Sequence, residues 1–188
     1  MPRPFDILVA ALALAVFSPL IAIAAIAIKL GSRGPVLYRQ RRVGRDGREF
    51  EMLKLRTMVP GSDPVGVGKV VTRDDPRVTG AGRLLRRTSL DEVPNLFNVL
   101  RGEMAIVGPR PTIPAQVDDY TTEQRRRHEV RPGITGWAQV QGRAGIPWAD
   151  RIELDVWYVD HRSALLDLLI LAKTAWLLVT GHGLAPDI

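Results

Sequence analysis

The sequence predicts an α+β fold, mostly helical with one small β-hairpin, attached to a membrane through its N-terminal segment. Three observations point there. Residues 7–28 form a run of 22 without a charged side chain, Asp46-Gly47 separates two extended runs, and much of the remainder shows apolar spacing of helical period between loops marked by Gly and Pro. The 188 residues suffice for one compact domain and a membrane element. The natural division is residues 1–29 for the membrane element and residues 30–188 for a membrane-associated domain.

The apolar run comes first. At about 1.5 Å per residue it would measure roughly 33 Å if straight, enough to cross a bilayer. Ser18 and Pro19 interrupt it near its middle. Proline removes one backbone hydrogen bond and clashes with the preceding turn, at about 3 kcal/mol. A serine hydroxyl beside it can serve the carbonyl thus freed, which makes a bend tolerable in lipid. Arg3 precedes the run, and Lys29, Arg33, Arg39, Arg41 and Arg42 follow it. Positive charge on both flanks suits a re-entrant hairpin that enters and leaves by the cytoplasmic face. A spanning helix and a cleaved signal peptide stay open, although the length of the run and the basic residues after it weaken the latter.

Residues 36–56 read as a β-hairpin, because Asp-Gly between extended runs is a strong two-residue turn signal. On the second strand Lys54 and Arg56 share a face by the period of two. Residues 60–68 read as a loop, residues 77–87 as a short basic helix, and residues 90–101 as a second helix stopped by Gly102. Pro109 and Pro111 make a rigid turn around Arg110. Residues 120–130 read as a polar helix closed by Pro132-Gly133, and residues 136–147 as a glycine-rich loop. Residues 152–161 mix acidic and aromatic side chains. Residues 163–179 are mostly apolar, with Ser163, Asp167 and Thr174 on one narrow helical stripe. That pattern is either a buried core helix or an interfacial helix with Trp176 as an anchor.

The net charge of +6 and a pI near 10.3 favour an anionic partner: nucleic acid, anionic lipid or a phosphorylated substrate. Arginine supplies most of that charge, and its fork suits phosphate oxygens. The apolar N-terminus is wrong for a DNA-binding module, so no nucleic-acid partner is expected. The basic run at residues 125–127 reads as a solvated face or a patch meeting anionic lipid. The absence of cysteine excludes disulfides and thiolate metal sites. His128, His161 and His182 show no metal-ligand spacing, and Trp137, Trp148 and Trp157 fit core and interface equally well.

The most informative stretch is residues 88–110, TSLDEVPNLFNVLRGEMAIVGPR. Ser89 and Glu92 have the spacing of a capping box. If Asp91 were the cap instead, Pro94 would fall where no backbone donor is needed. Either way Asp91 would lie at a helix N-terminus, where the helix end and nearby arginines hold a carboxylate ionised and attract phosphate. An ionised aspartate can attack phosphorus and form an acyl phosphate. Adjacent helical residues point about 100° apart, so separate roles are natural for Asp91 and Glu92: one nucleophile and one ligand for a hard cation such as Mg2+. Arg86 and Arg110 are candidates for phosphate contact, one close to the acidic pair and the other held stiffly, with Lys54 and Arg56 as further candidates.

These residues resemble the monotopic phosphoglycosyl transferases, the bacterial sugar transferase family that begins glycan assembly on a polyprenyl carrier. The likeness covers nearly the whole chain. It includes the apolar run with Ser18-Pro19, KLRTM at residues 54–58, DDPRVT at 74–79, TSLDE at 88–92, NVLRGEM at 98–104, VGPRP at 107–111, RPGITGWAQV at 131–140 and ELDVWYV at 153–159. The resemblance implies a re-entrant helix broken at Ser18-Pro19 in the inner leaflet, and a catalytic domain at the cytoplasmic face of the bacterial inner membrane. It implies that Asp91 attacks the β-phosphate of a UDP-sugar and releases UMP. The sugar-phosphoryl group then passes to polyprenyl phosphate, while Glu92 serves a magnesium ion.

Departures accompany it. Family members commonly have Asn where this chain has Gln141 and Ala144, which bears on donor contacts of that loop. The chain looks like the minimal catalytic form, without the extra membrane helices of larger members. The sequence leaves pairing with a second copy open. An Asp-dependent phosphatase, passing the phosphoryl group to water, is the nearest enzymatic alternative, and a non-catalytic basic membrane scaffold is the other.

Overall fold

The computed structural model describes residues 1–62, 75–142 and 146–180. Asp74 of the DDPRVT motif, most of the 60–68 loop, the centre of the glycine-rich loop with Ala144, and His182 lie outside them.

The apolar run forms one helix, α1, Arg3–Gly31, which continues through Pro19, so the break expected at Ser18-Pro19 does not interrupt it. Proline cannot bond to the carbonyl four residues back, which belongs to Ala15. The Ser18 hydroxyl donates to that same carbonyl at 2.8 Å. The hairpin follows as β1, Leu37–Val43, and β2, Glu49–Leu55, antiparallel with Leu37 opposite Leu55 and Val43 opposite Glu49. Asp46 and Gly47 both take positive φ, 56° and 74°, and the Arg48 amide closes the turn on the Arg45 carbonyl at 3.1 Å. That is the two-residue turn read from Asp-Gly.

Helix α2, Gly80–Arg87, is capped by the Thr79 side chain. Residues 90–101 split into a short 3-10 turn, Leu90–Glu92, and helix α3, Asn95–Arg101, which Gly102 ends at φ 87°. Beyond it lie β3, Ala105–Val107, α4, Pro114–Val117, α5, Thr122–Arg125, a 3-10 turn at Arg126–His128, and β4, Gly133–Thr135. Strands β3 and β4 pair in parallel, and a Cβ on Gly133 would meet the Gly108 amide at 2.1 Å, so this crossing needs a bare backbone. Gly133 therefore begins a strand where the sequence suggested a helix stop. Helix α6, Trp137–Gln141, occupies the start of the stretch read as a glycine-rich loop. Helices α7, Trp148–His161, and α8, Ala164–Thr180, complete the described chain.

The main core joins Ala10 of α1, Phe50 and Met52 of β2, Leu96 and Val99 of α3, and Tyr158 of α7. A second cluster packs Ala24 and Ile28 of α1 against Leu55 and Leu85. Asn98 ties α3 to the hairpin: its Oδ1 accepts from the Leu53 amide at 3.1 Å, and its Nδ2 donates to the Glu51 carbonyl and to Glu103, both at 2.7 Å. Asn98→Ala leaves buried polar groups unpaired and is expected to cost about 2–4 kcal/mol, measurable by thermal or denaturant unfolding in detergent. A loss under about 0.5 kcal/mol would contradict this linking role.

Both ends of α1 are fastened to the same body. At one end Arg3 donates to the carbonyls of Val99 and Leu100, and Asp6 accepts the Ile106 amide. At the other, Arg56 donates to the carbonyls of Ser32 and Arg33 at 2.9 and 2.6 Å. Between them Val16, Ser18, Pro19 and Leu20 are exposed. Helix α8 is apolar on its outer face, where Leu165, Trp176 and Val179 are 78%, 65% and 86% exposed. Its polar stripe faces inward: Asp167 is fully buried and accepts from Tyr158, and Thr174 meets Thr135 at 2.7 Å. Ser163, just before the helix, is exposed, so the inward part of the stripe is Asp167 and Thr174, and the apolar surface is the one left uncovered.

Candidate active site

The acidic pair lies on the 3-10 turn between α2 and α3. Ser89 before it is left-handed, φ 56°, and caps nothing with its side chain, while Pro94 is the residue that precedes α3. Neither capping arrangement read from the sequence forms. Asp91 sits in the 3-10 turn, one turn before the α-helix begins.

The two carboxylates differ sharply in their surroundings. Glu92 Oε1 accepts from Lys54 Nζ at 2.7 Å and from Arg110 at 2.9 Å. Burial works to raise the Glu92 carboxyl, but Arg110 and Lys54 outweigh it and hold the group well below the usual carboxylate range. Among the described residues the Asp91 carboxylate makes no hydrogen bond or ion pair. Burial pushes it up to about 6 and the charge on Glu92 adds to the rise, with Lys54, Arg86 and Arg110 pulling the other way. The expected helix end that would hold Asp91 ionised is corrected: the turn is not an α-helix terminus, and desolvation raises the carboxyl.

Lys54 and Arg110 thus meet at Glu92 as a pair from β2 and the Pro-Arg-Pro turn. Burial lowers the Lys54 ammonium, and Arg110 adds to that, against the pull of Glu92. Arg86, near enough to Asp91 to feel its charge, donates through Nε to the Thr57 hydroxyl at 2.9 Å. Arg56 does not join the pair. Its strand has ended at Leu55, and the guanidinium turns to the carbonyls after α1.

Four arginines of the same cleft are not among the sequence candidates: Arg42, Arg87, Arg127 and Arg151. Burial, helped by Arg110, lowers Arg42 to about 10, and its guanidinium donates to the Pro111 carbonyl at 3.1 Å. The basic run at residues 125–127 reads as a solvated face or a lipid patch, yet the Arg127 side chain is 2% exposed and paired with Asp155. Asp155 falls in the apolar stripe of Ile152 and Val156, and a charge on such a stripe signals a buried partner.

The cleft encloses about 1000 Å³. Its walls carry Lys54, Arg86, Asp91, Glu92 and Arg110, and also Ala13 and Phe17 of α1 with Leu177 and Leu178 of α8. A phosphate would meet cations beside a free carboxylate, and an apolar tail would meet α1 and α8.

The family model described as bacterial sugar transferase matches residues 1–181. The chain is 44% identical over 186 residues to the uncharacterized sugar transferase EpsL of Bacillus subtilis (strain 168), covering 98% of this chain and 90% of that one. It is 46% identical over 186 residues to the UDP-glucose:undecaprenyl-phosphate glucose-1-phosphate transferase of Caulobacter vibrioides, covering 95% and 69%. It is 42% identical over 187 residues to the UDP-N-acetylgalactosamine-undecaprenyl-phosphate N-acetylgalactosaminephosphotransferase of Aeromonas hydrophila, covering 96% of this chain but 44% of that one. With the family model matched over residues 1–181, the chain belongs to the bacterial sugar transferase family.

Proposed function

We propose that the chain transfers a sugar-1-phosphate from a UDP-sugar to polyprenyl phosphate through a covalent sugar-phosphoryl ester on Asp91, releasing UMP. The observation that carries this reading is the division of labour in the acidic pair. Glu92 is clamped by two cations, and Asp91 beside it is left without a partner among the described residues.

In the first step an Asp91 carboxylate oxygen attacks the β-phosphorus of the donor. The bond from that phosphorus to the oxygen of UMP breaks, and UMP leaves with the electron pair. In the second step an oxygen of the lipid phosphate attacks the same phosphorus and expels the Asp91 carboxylate. The product is a polyprenyl diphosphate sugar. A covalent intermediate lets one small site take a soluble donor and a lipid acceptor in turn. Lys54, Arg86 and Arg110 neutralise phosphate charge, and burial leaves the Asp91 anion little water to shed before it attacks.

The residues fit a magnesium ion. Among the described residues there is no cluster of three His, Cys, Asp or Glu, but magnesium takes one or two carboxylates together with substrate phosphates. Glu92 pushes Asp91 upward by its charge, and a bound divalent cation would relieve that repulsion. Glu92, with Asp91 beside it, would hold the ion. When bound, magnesium polarises the phosphoryl oxygens and neutralises their charge.

The reading places the site at the cytoplasmic face of the bacterial inner membrane, with α1 as a re-entrant element in the inner leaflet. The attachment of both ends of α1 to one body supports it, because a spanning helix would carry Arg3 to the far side of the bilayer from Arg33. Single cysteines at Pro2 and Arg33, both exposed, should label from the same side in inner-membrane vesicles. Labelling from opposite sides would mean a spanning helix.

The function is tested by presenting the detergent-solubilised protein with polyprenyl phosphate, magnesium and a panel of UDP-sugars including glucose and N-acetylgalactosamine. UMP and a lipid-linked sugar are expected. Release of free sugar phosphate without lipid product would instead point to a phosphatase.

A further inference from the structure

We infer that Arg127, paired with Asp155, is the positioning residue that sets Arg110 on Glu92; the inference rests on reading the cleft as a phosphoryl-transfer site. The Arg127 guanidinium is buried where three segments meet. It donates to the Tyr120 hydroxyl at 2.8 Å, to the Arg110 carbonyl at 2.9 Å and to an Asp155 carboxylate oxygen of α7. The rings of Tyr120 and Trp148 each lie 5.8 Å from its centre.

The bond to the Arg110 carbonyl matters because of what the prolines leave open. Pro109 and Pro111 fix their own φ, and Pro111 biases Arg110 toward extended backbone. Neither proline fixes the φ of Arg110, and the bond from Arg127 to its carbonyl restrains that rotation. The next carbonyl, of Pro111, is held by Arg42. The Arg110 side chain itself is 48% exposed and long, so its aim at Glu92 depends on its backbone. Stability is a poor reason for the pair. A buried ion pair seldom stabilises more than apolar residues of similar volume. Arg127 Nε is buried without a partner among the described residues, which adds to the cost. Lysine could not replace this residue, since an ammonium lacks the planar fork that reaches three acceptors on different segments.

The test separates positioning from scaffolding. R127M/D155L removes both charges together, so neither is left buried alone. It is expected to melt at or above the wild-type temperature, yet to lose roughly 10²-fold in kcat/KM for UMP release, as a displaced Arg110 would cause. Adding R110A should lower the rate little beyond R110A alone, because both changes remove one contact. R127K keeps a cation opposite Asp155 and should show the same loss and the same lack of additivity, so it carries the cycle if the double variant unfolds. Turnover within about twofold of wild type, or losses that multiply with R110A, would overturn the inference. Nitrogen-15 relaxation of the Arg110 Nε–H group supplies a readout independent of turnover. The group should be ordered in the wild type and disordered in R127K, and unchanged order would also overturn it. If the wild-type chain releases no UMP from any donor, the functional reading fails while the relaxation result still decides the positioning.

Discussion

Asp91→Asn is expected to reduce UMP release by at least about 10³-fold and to abolish lipid-linked product, while raising the melting temperature above pH 7. The loss follows from chemistry. A neutral amide is a poor nucleophile toward phosphorus and cannot form the acyl phosphate. The gain follows from linkage. The folded state raises Asp91 from the ordinary range to about 6. Ionising it in the folded protein therefore carries a stability cost that is absent below the unfolded pKa, near 4, and complete above the folded one. Asparagine avoids that cost. An inactive variant with unchanged or higher stability separates a lost nucleophile from a lost fold. Undiminished turnover would remove Asp91 from the mechanism.

Glu92→Gln is the second large effect. Its carboxylate is the common acceptor of Lys54 and Arg110, so the change leaves two cations without their counter-charge. A loss of about 10²–10³-fold in kcat/KM is expected, with weaker dependence on magnesium. The pH profile carries the sign. In the wild type, activity should rise with pH along an acid limb as Asp91 ionises, below the metal-free value of about 6 because bound magnesium would add positive charge. Glu92 contributes to holding Asp91 up, and Lys54 and Arg110 pull it down. Removing the Glu92 charge removes the repulsion and leaves the cations in place, so the limb should move to lower pH. Both profiles would be recorded at magnesium saturating for each variant, so that loss of the ion does not enter the shift. A limb that stays in place or moves upward would contradict the arrangement, as would an unchanged metal titration for the ligand role.

Much of this was legible before the structure, and the failures have physical causes. The hairpin rests on one local signal, Asp46-Gly47, and local turn chemistry decided it. Lys54 and Arg56 were placed together by the strand period, but the period applies only while the strand lasts, and it ends at Leu55. The parallel pair of β3 and β4 has three residues in each strand, too few to show any period. Helix α6 was hidden between glycines. Asp91 and Glu92 were recognised as a pair with separate roles, but their electrostatics depend on Lys54 and Arg110, which lie 38 and 18 residues from Glu92 in sequence. Arg127 shows the same limit: a run of three arginines looks solvated until Asp155 is known to face it.

The outward apolar face of α8 and the exposed middle of α1 give the cleft an apolar side, and Lys54, Arg86 and Arg110 give it a basic side. That geometry suits two substrates of opposite character, provided that the sugar phosphate rests on the protein between them. The covalent ester on Asp91 is therefore the central claim. Incubating the protein with magnesium and a UDP-sugar, without lipid phosphate, and analysing the acid-quenched peptides by mass spectrometry tests it most directly. The account predicts a sugar-phosphate adduct on Asp91 that forms with release of UMP and disappears when polyprenyl phosphate is added. UMP release that requires the lipid, with no adduct on Asp91 at any time, would contradict it.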